Sequence, residues 1–261
     1  MVRHRLGQHF VTDPNLLETI VRESGAGDGD VVLEVGGGAG ALTERLAPRV
    51  RRLHVIELDD RLRPELEAVA QEQGNVDLAW ADAMRVDLSS LEPAPVKVVS
   101  NLPYSIATPL ILKTIEELAA VDSWTVLVQR EIAERLRAAP GSRVYGAPSV
   151  LVQLAADVEL LRTVDRAVFQ PRPRVDSALL ALRRRGPAAP EPVRHLVHDA
   201  FAHRRKSLAR SVELAAAPNE RDGRREAARA ALREAGLPEN ARAESLSPQD
   251  FAGLADSLEA Q

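Results

Sequence analysis

From Val31 to Val128 short apolar runs alternate with amphipathic stretches. Val31-Val32-Leu33-Glu34-Val35 is β-branched and stopped by Gly36-Gly37-Gly38-Ala39-Gly40, after which Leu42, Leu46 and Val50 recur at helical spacing. This pattern reads as strand, glycine turn and helix. The unit repeats, with a strand at Leu53 to Glu57, a polar-faced helix from Arg61 to Gln71 and a strand from Val76 to Trp80. A fourth strand, Val96 to Ser100, and a fifth, Trp124 to Val128, come with helices at Pro109 to Leu118 and Glu131 to Ala138. Such alternation predicts a mainly parallel sheet covered by helices. Ahead of it, Asp13-Pro14 suits an N-cap and first helical turn, and Leu16, Leu17, Ile20 and Val21 mark a helix that ends near Gly25.

Further along, the pattern changes. Val150 to Ala155 and Ala178 to Leu182 read as strands, separated by Phe169-Gln170-Pro171-Arg172-Pro173, whose prolines forbid a continuous central strand. Gly186 to Pro192 has linker composition, and Val193 to Leu214, Arg221 to Ala235 and Pro248 to Leu258 read as helices. The expected organisation is therefore an α/β domain over residues 1–185 and a small all-helical domain over 193–261.

Composition narrows the class. The 261 residues are 45% hydrophobic and 28% charged, ordinary for a folded globular chain. There is no cysteine, which excludes disulfides, thiolate metal sites and thiol nucleophiles. No apolar run approaches a membrane span and the basic start, Met1 to Gly7, has no apolar stretch behind it, so a cytoplasmic protein is expected. The net charge of -4 conceals a basic block, since Arg162 to Arg210 holds 12 Lys and Arg against 4 Asp and Glu. Such a block can neutralise nucleic-acid phosphates. It can equally be a solvated face in a chain where 31 of 34 cations are Arg.

The glycine segment predicts a nucleotide-like cofactor, because glycines between a strand and a helix let a ligand approach the backbone. Its spacing is E-x-G-x-G-x-G over Glu34 to Gly40, not the G-x-G-x-x-G of redox dinucleotide sites. Glu57 ends the second strand, where a carboxylate can accept both ribose hydroxyls, although a surface ion pair would also explain it. Asp82-Ala83 follows the third strand and can meet an adenine amino group or merely cap a turn. Asn101-Leu102-Pro103-Tyr104 supplies an amide oxygen, a carbonyl held by proline's fixed φ and an aromatic face. Together these form a cradle for a planar amine, or else a strand exit with a tyrosine beneath it.

Gly7-Gln8-His9-Phe10, Glu34 to Gly40, Glu57, Asp82-Ala83, Asn101 to Tyr104, Val144-Tyr145-Gly146, Phe169 to Ser177 and Phe201 to Leu208 together resemble the bacterial small-subunit rRNA adenine N6,N6-dimethyltransferases. The resemblance covers nearly the whole chain. It implies a doubly wound, Rossmann-like α/β fold that binds S-adenosyl-L-methionine, with one antiparallel strand near its end and a helical rRNA-binding domain. His9, Val11, Gly36, Gly38, Glu57, Leu58, Asp82, Ala83 and Asn101 are then the cofactor residues. Three positions depart from the family pattern: His9 where Asn is usual, Gly37 where Pro is common and Ser105 where Asn is common.

The resemblance also implies a mechanism. An adenine amine is a poor nucleophile, so Asn101 Oδ1 and the Leu102 carbonyl, placed by Pro103, are expected to localise its lone pair. Tyr104 stacks on the base, with Phe169 as a second wall. The target base is unpaired or flipped out, and neither a metal nor a general base is needed. Arg172, Arg174, Arg204, Arg205 and Lys206 are the expected rRNA contacts. The implied partner is small-subunit rRNA in an immature ribosomal subunit, met by a monomer without a membrane. Methylation of a large-subunit adenine, as in the related macrolide-resistance enzymes, a non-catalytic assembly factor and a small-molecule methyltransferase are the competing functions.

Overall fold

A computed structural model describes residues 8–219 and 221–259; Gly7 and the basic start of the chain lie outside them. The chain divides into two compact units, one reaching to residue 133 and including 157–184, the other made of 134–156 and 185–261.

The first unit carries a seven-stranded sheet. Its strands include β2 (Val31–Val35), β3 (Arg52–Glu57), β4 (Val76–Trp80), β5 (Lys97–Asn101) and β6 (Ser123–Gln129), and the later β7 (Ala156–Val164) and β9 (Ser177–Arg184) complete it. The order is β4-β3-β2-β5-β6-β9-β7. Strands β4, β3, β2, β5 and β6 pair in parallel, and β9 runs antiparallel to β6 with Ser177 opposite Gln129. The chain winds outward from β2 to β4 on one side and from β5 on the other. The crevice between the carboxyl ends of β2 and β5 is therefore the topological switch point, where open α/β sheets bind ligands.

Alternating strand residues serve the two faces of the sheet. On one face Leu16, Leu17, Ile20 and Val21 of α1 (Pro14–Ser24) join Val32, Val99, Leu127 and Leu179 in one buried cluster. Helix α1 starts as expected, since the Asp13 carboxylate accepts the Asn15 N–H at 2.9 Å, and it ends on Gly25 at φ 57°. On the other face Leu110, Ile111 and Thr114 of α4 (Ala107–Glu117) close on Val98, Trp124 and Val126. Thr114 Oγ1 there accepts the Trp124 indole N–H at 2.9 Å.

Several elements differ from the sequence reading. Leu42, Leu46 and Val50 are buried, but the helix beneath them is one turn, α2 (Thr43–Leu46), extended by a 3-10 turn through Pro48. Helix α3 (Arg63–Gln73) begins later than expected, after a 3-10 turn at 60–62.

Residues 150–155 are not a strand; they lie in α6 (Ala147–Ala155). Pro148 occupies its first turn, and Ser149 Oγ accepts the Gly146 N–H at 3.0 Å. Helix α6 and the end of α5 (Arg130–Leu136) belong to the second unit, so residues 134–156 do not stay with the sheet as the 1–185 boundary supposed. The strand comes next instead, as β7, whose Asp157, Glu159 and Arg162 mask the period.

The second unit is helical, with α7 (Glu191–Ala202), α8 (Leu208–Ala215), α9 (Arg221–Glu234) and α10 (Pro248–Glu259) besides α6. One continuous helix over 193–214 is not formed. Residues 203–207, His-Arg-Arg-Lys-Ser, make a turn closed by the Lys206 N–H on the His203 carbonyl at 2.8 Å. This unit has an aromatic centre, with Phe201 5.8 Å from Phe251 and 6.1 Å from Tyr145 between ring centroids.

Candidate active site

Two adjoining depressions open at the switch point. One is lined by His9, Val11, Glu34, the 36–39 turn, Glu57 and residues 101–104; the other by Leu58, Asp82, Ala83 and Ser105. Gln8, Gly36, Glu57 and Pro103 border both.

The glycine turn is shaped by backbone. Gly36, Gly38 and Gly40 have φ of 83°, 58° and 89°, the left-handed region that glycine enters without steric cost. Gly37 is needed for another reason. A Cβ there would stand 2.5 Å from Val55 Cγ1 and 3.1 Å from Leu66 Cδ2, so the proline common in the family would collide in this chain.

Glu57, at the tip of β3, is buried. Its Oε2 accepts the Gly38 N–H at 2.8 Å, and its Oε1 accepts those of Leu58 and Asp59, each at 2.8 Å. Three of about four lone-pair sites are thus filled, leaving room for one further donor rather than the two foreseen. Glu34, at the base of the turn, is buried and accepts from Thr43 Oγ1 at 2.7 Å. Burial pushes its carboxyl up to about 8, with the nearby Glu57 charge adding to the shift and the Thr43 hydrogen bond opposing it.

Gln8 had only been part of a motif. Its side chain hydrogen-bonds Asp59, while its Oε1 is buried with no protein partner on the border of both depressions. An unmatched buried acceptor costs about 1–3 kcal/mol, which a hydroxyl or amino donor from a ligand would relieve. This orphan, the open lone pair on Glu57 and the glycine cradle fit an amino-acid-bearing nucleoside such as S-adenosylmethionine. The Gly7-Gln8-His9-Phe10 motif marks the residue in the sequence, but the buried orphan atom is a fact of tertiary placement.

On the acceptor side, Asn101 Nδ2 donates to the His9 carbonyl at 3.0 Å, which leaves Oδ1 as the unengaged end of the amide. The Tyr104 hydroxyl lies 2.6 Å from Ser177 Oγ, and burial raises its pKa, making it a weaker acid. His9 stands beside it, the rings 5.3 Å apart and tilted by 32°. His9 Nδ1 meets the Pro171 carbonyl at 2.7 Å. The backbone on either side is pinned by a small antiparallel pair, β1 (Phe10–Val11) with β8 (Phe169–Gln170).

Phe169 does not form the second wall. It is 2% exposed and sits in the core cluster with Val11, Leu17 and Leu179, outside the cleft lining. Strand β8 turns it there, since Phe169 pairs with the buried Val11. The aromatic neighbour of Tyr104 is His9.

The remaining expected residues scatter. Arg172 and Arg174 are exposed on the 171–176 loop, Arg172 lying 3.8 Å from Asp165. In the helical unit Arg204, Arg205 and Lys206 are on the 203–207 turn rather than on a helix. Arg204 is engaged, with its Nε donating to Glu244 at 3.0 Å and its Nη2 to the Arg143 carbonyl at 2.5 Å. Arg205 and Lys206 are exposed. Among the described residues no cluster could hold a metal and no helix is long and apolar enough to cross a membrane.

A family profile described as ribosomal RNA adenine dimethylase matches residues 1–259. The chain belongs to the ribosomal RNA adenine dimethylase family. Within it, the chain is 43% identical over 256 residues to the ribosomal RNA small subunit methyltransferase A of Rubrobacter xylanophilus, covering 97% of this chain and 93% of that protein. The enzyme of the same name from Thermobifida fusca is 42% identical, with 96% and 88% covered. Among solved structures, a dimethyladenosine transferase from Plasmodium falciparum superposes with a TM-score of 0.81 at 25% identity, over 94% of this chain and 96% of that one. The 23S rRNA methyltransferase ErmE gives 0.69 at 26% identity, over 96% and 99%. The expected family and its α/β fold are thereby established.

Proposed function

We propose that the protein transfers methyl groups from S-adenosyl-L-methionine to N6 of two adjacent adenines near the 3′ end of small-subunit rRNA. The observation that carries this reading is the fixed amide of Asn101. Because Nδ2 is spent on the His9 carbonyl, the end offered to a ligand is an acceptor, which suits an N–H donor such as the adenine amine.

When bound, the cofactor supplies a methyl group made electrophilic by its sulfonium. Gln8, the 36–40 turn, Glu57 and Asp82 hold and orient it, with Leu58 and Ala83 against its base. Asn101 Oδ1 and the Leu102 carbonyl accept hydrogen bonds from the two N6–H groups and concentrate the nitrogen lone pair where it reacts. Pro103 fixes that carbonyl, its own being taken by the Ile106 N–H at 3.1 Å. The Tyr104 ring, tethered to Ser177, offers the stacking face. Held this way, the amine and the methyl group meet without a search through orientations.

A base inside a duplex could not reach this cradle, so the adenine must be unpaired or everted. Arg172, Arg174, Arg205 and Lys206 are the exposed cations proposed to meet rRNA phosphates; Arg204 serves instead to fasten the turn that carries two of them. The relatives at 42–43% identity, both small subunit methyltransferases by name, support the small subunit as substrate.

The test is incubation of the purified protein with methyl-labelled cofactor and, separately, unmethylated small subunits, large subunits and free rRNA, followed by mapping of labelled adenines. Label in neighbouring adenines near the small-subunit 3′ end is expected. Label confined to large-subunit RNA would transfer the protein to the resistance activity, and none anywhere would leave a non-catalytic role in assembly.

A further inference from the structure

The stretch from Gln8 to Val11 is tied to both halves of the cleft. On one side the Gln8 amide hydrogen-bonds Asp59, whose N–H in turn donates to Glu57 Oε1 at 2.8 Å. The Phe10 ring lies over Gly38, where an added Cβ would stand 3.1 Å from it. On the other side the His9 carbonyl accepts Asn101 Nδ2 at 3.0 Å, and the His9 ring meets the Pro171 carbonyl at 2.7 Å and lies beside Tyr104. Phe10 and Val11 then pair with Gln170 and Phe169. Adjacent residues of one strap thus hold the glycine turn and the Asn101 amide together.

Within this strap Gln8 is left incomplete. Asp59, held ionised chiefly by its Arg61 hydrogen bond, can only accept, so the nitrogen end of the Gln8 amide faces it and Oε1 is the end left over. That oxygen is buried without a protein partner and borders both depressions. A buried acceptor without a donor costs free energy that it recovers in water or from a ligand. The strap in place therefore competes with a withdrawn one, in which Gln8 Oε1 is hydrated and the Asn101 amide, no longer held by the His9 carbonyl, is free to turn. Two such states, favoured unequally by a ligand, are what couples one site to another.

We propose that Gln8 is a positioning residue that links the two ligands: a hydroxyl or amino donor of the bound cofactor satisfies its Oε1, holds residues 8–11 in place and so keeps Asn101 Oδ1 turned toward the acceptor. The acceptor adenine, engaging that oxygen, favours the same state. Each ligand then strengthens the binding of the other by the same factor.

The inference rests on the cleft being an adenine methyltransferase site, and its test separates the two. Equilibrium dialysis gives the dissociation constant of labelled S-adenosylhomocysteine, the cofactor without its methyl group, in the presence and absence of saturating unmethylated small subunits. The wild type should bind it on the order of tenfold more tightly with subunits present, and the subunits should gain the same factor from the ligand. Gln8→Ala should bind the ligand more weakly and bring the factor down to about one. Asp82 lines the depression that His9 does not, so Asp82→Asn should weaken the ligand while keeping the factor.

No coupling in the wild type, coupling retained in Gln8→Ala, or coupling lost in Asp82→Asn as well would each overturn the proposal while leaving the methyltransferase reading intact. Failure of the wild type to bind either the ligand or small subunits would remove both. A second measurement needs no variant to fold. Hydrogen exchange of the wild type should show the amides of His9 to Val11 slowed by S-adenosylhomocysteine alone, and exchange unchanged by the ligand would contradict the role of Gln8.

Discussion

The two halves of the cleft are built on different principles. The half proposed to hold the cofactor is made of backbone: three glycines at positive φ, and a Glu57 carboxylate clasped by the N–H groups of Gly38, Leu58 and Asp59. Its residues lie close in sequence and its shape follows from local conformation. The half proposed to hold the methyl acceptor is made of side chains joined across long stretches of chain, Asn101 to His9, Tyr104 to Ser177 and His9 to Pro171. A half whose form is set by the main chain should respond to substitution through stability and affinity. One assembled from side-chain bonds should respond through turnover.

The largest expected effect lies in the cofactor half. Because the folded state holds the Glu34 proton up to about 8, against an ordinary value of 4.5, the native protein binds more protons than the unfolded chain between those values. The contribution of Glu34 to stability is therefore full below 4.5 and is lost as pH rises toward 8. Glu34→Gln, which has no proton to lose, should match the wild type near the acid end and exceed it at the alkaline end by roughly 2–4 kcal/mol. Denaturant unfolding of both proteins at the two ends measures this, and equal stabilities at both would show that Glu34 is not held neutral.

Gly37→Ala comes next. Its Cβ overlaps Val55 Cγ1, and overpacking of this kind costs about 1–3 kcal/mol. In a Val55→Ala background the same substitution should cost much less, so thermal melts of the four proteins form a cycle whose failure to couple would dismiss the contact. The smallest effect belongs to Tyr104→Phe in the acceptor half. It loses the Ser177 hydrogen bond but keeps the ring, so transfer should slow only severalfold, about 0.5–1.5 kcal/mol, with cofactor affinity unchanged. Single-turnover rates and calorimetric titration check both parts.

The same contrast explains what could be read from sequence. Glu34 to Gly40, Glu57 and Asp82 were legible because strand end, glycine turn and acidic tip are local patterns. Asn101 to Tyr104 was legible as a motif, but the direction of the Asn101 amide was not, since it is set by a carbonyl 92 residues away. Phe169 was misplaced because only the pairing of β8 with β1 turns its ring into the core.

The 150–155 run misled for a related reason. Val150-Leu151-Val152 is apolar enough for strand or helix, and burial in the helical unit decides between them, with Pro148 and Ser149 as the overlooked start signals. Arg204 to Lys206 fell inside an apolar period long enough to suggest one helix. Three adjacent cations, capped by the Glu244 and Arg143 contacts of Arg204, form a turn instead.

The most direct test of the division is Asn101→Ala, measured for S-adenosylmethionine dissociation constant and single-turnover methylation of small subunits on the same preparation. The account predicts a transfer rate lower by roughly 10²–10³-fold with cofactor affinity within a factor of about three of the wild type. Parallel loss of binding and transfer, or transfer at the wild-type rate, would contradict it.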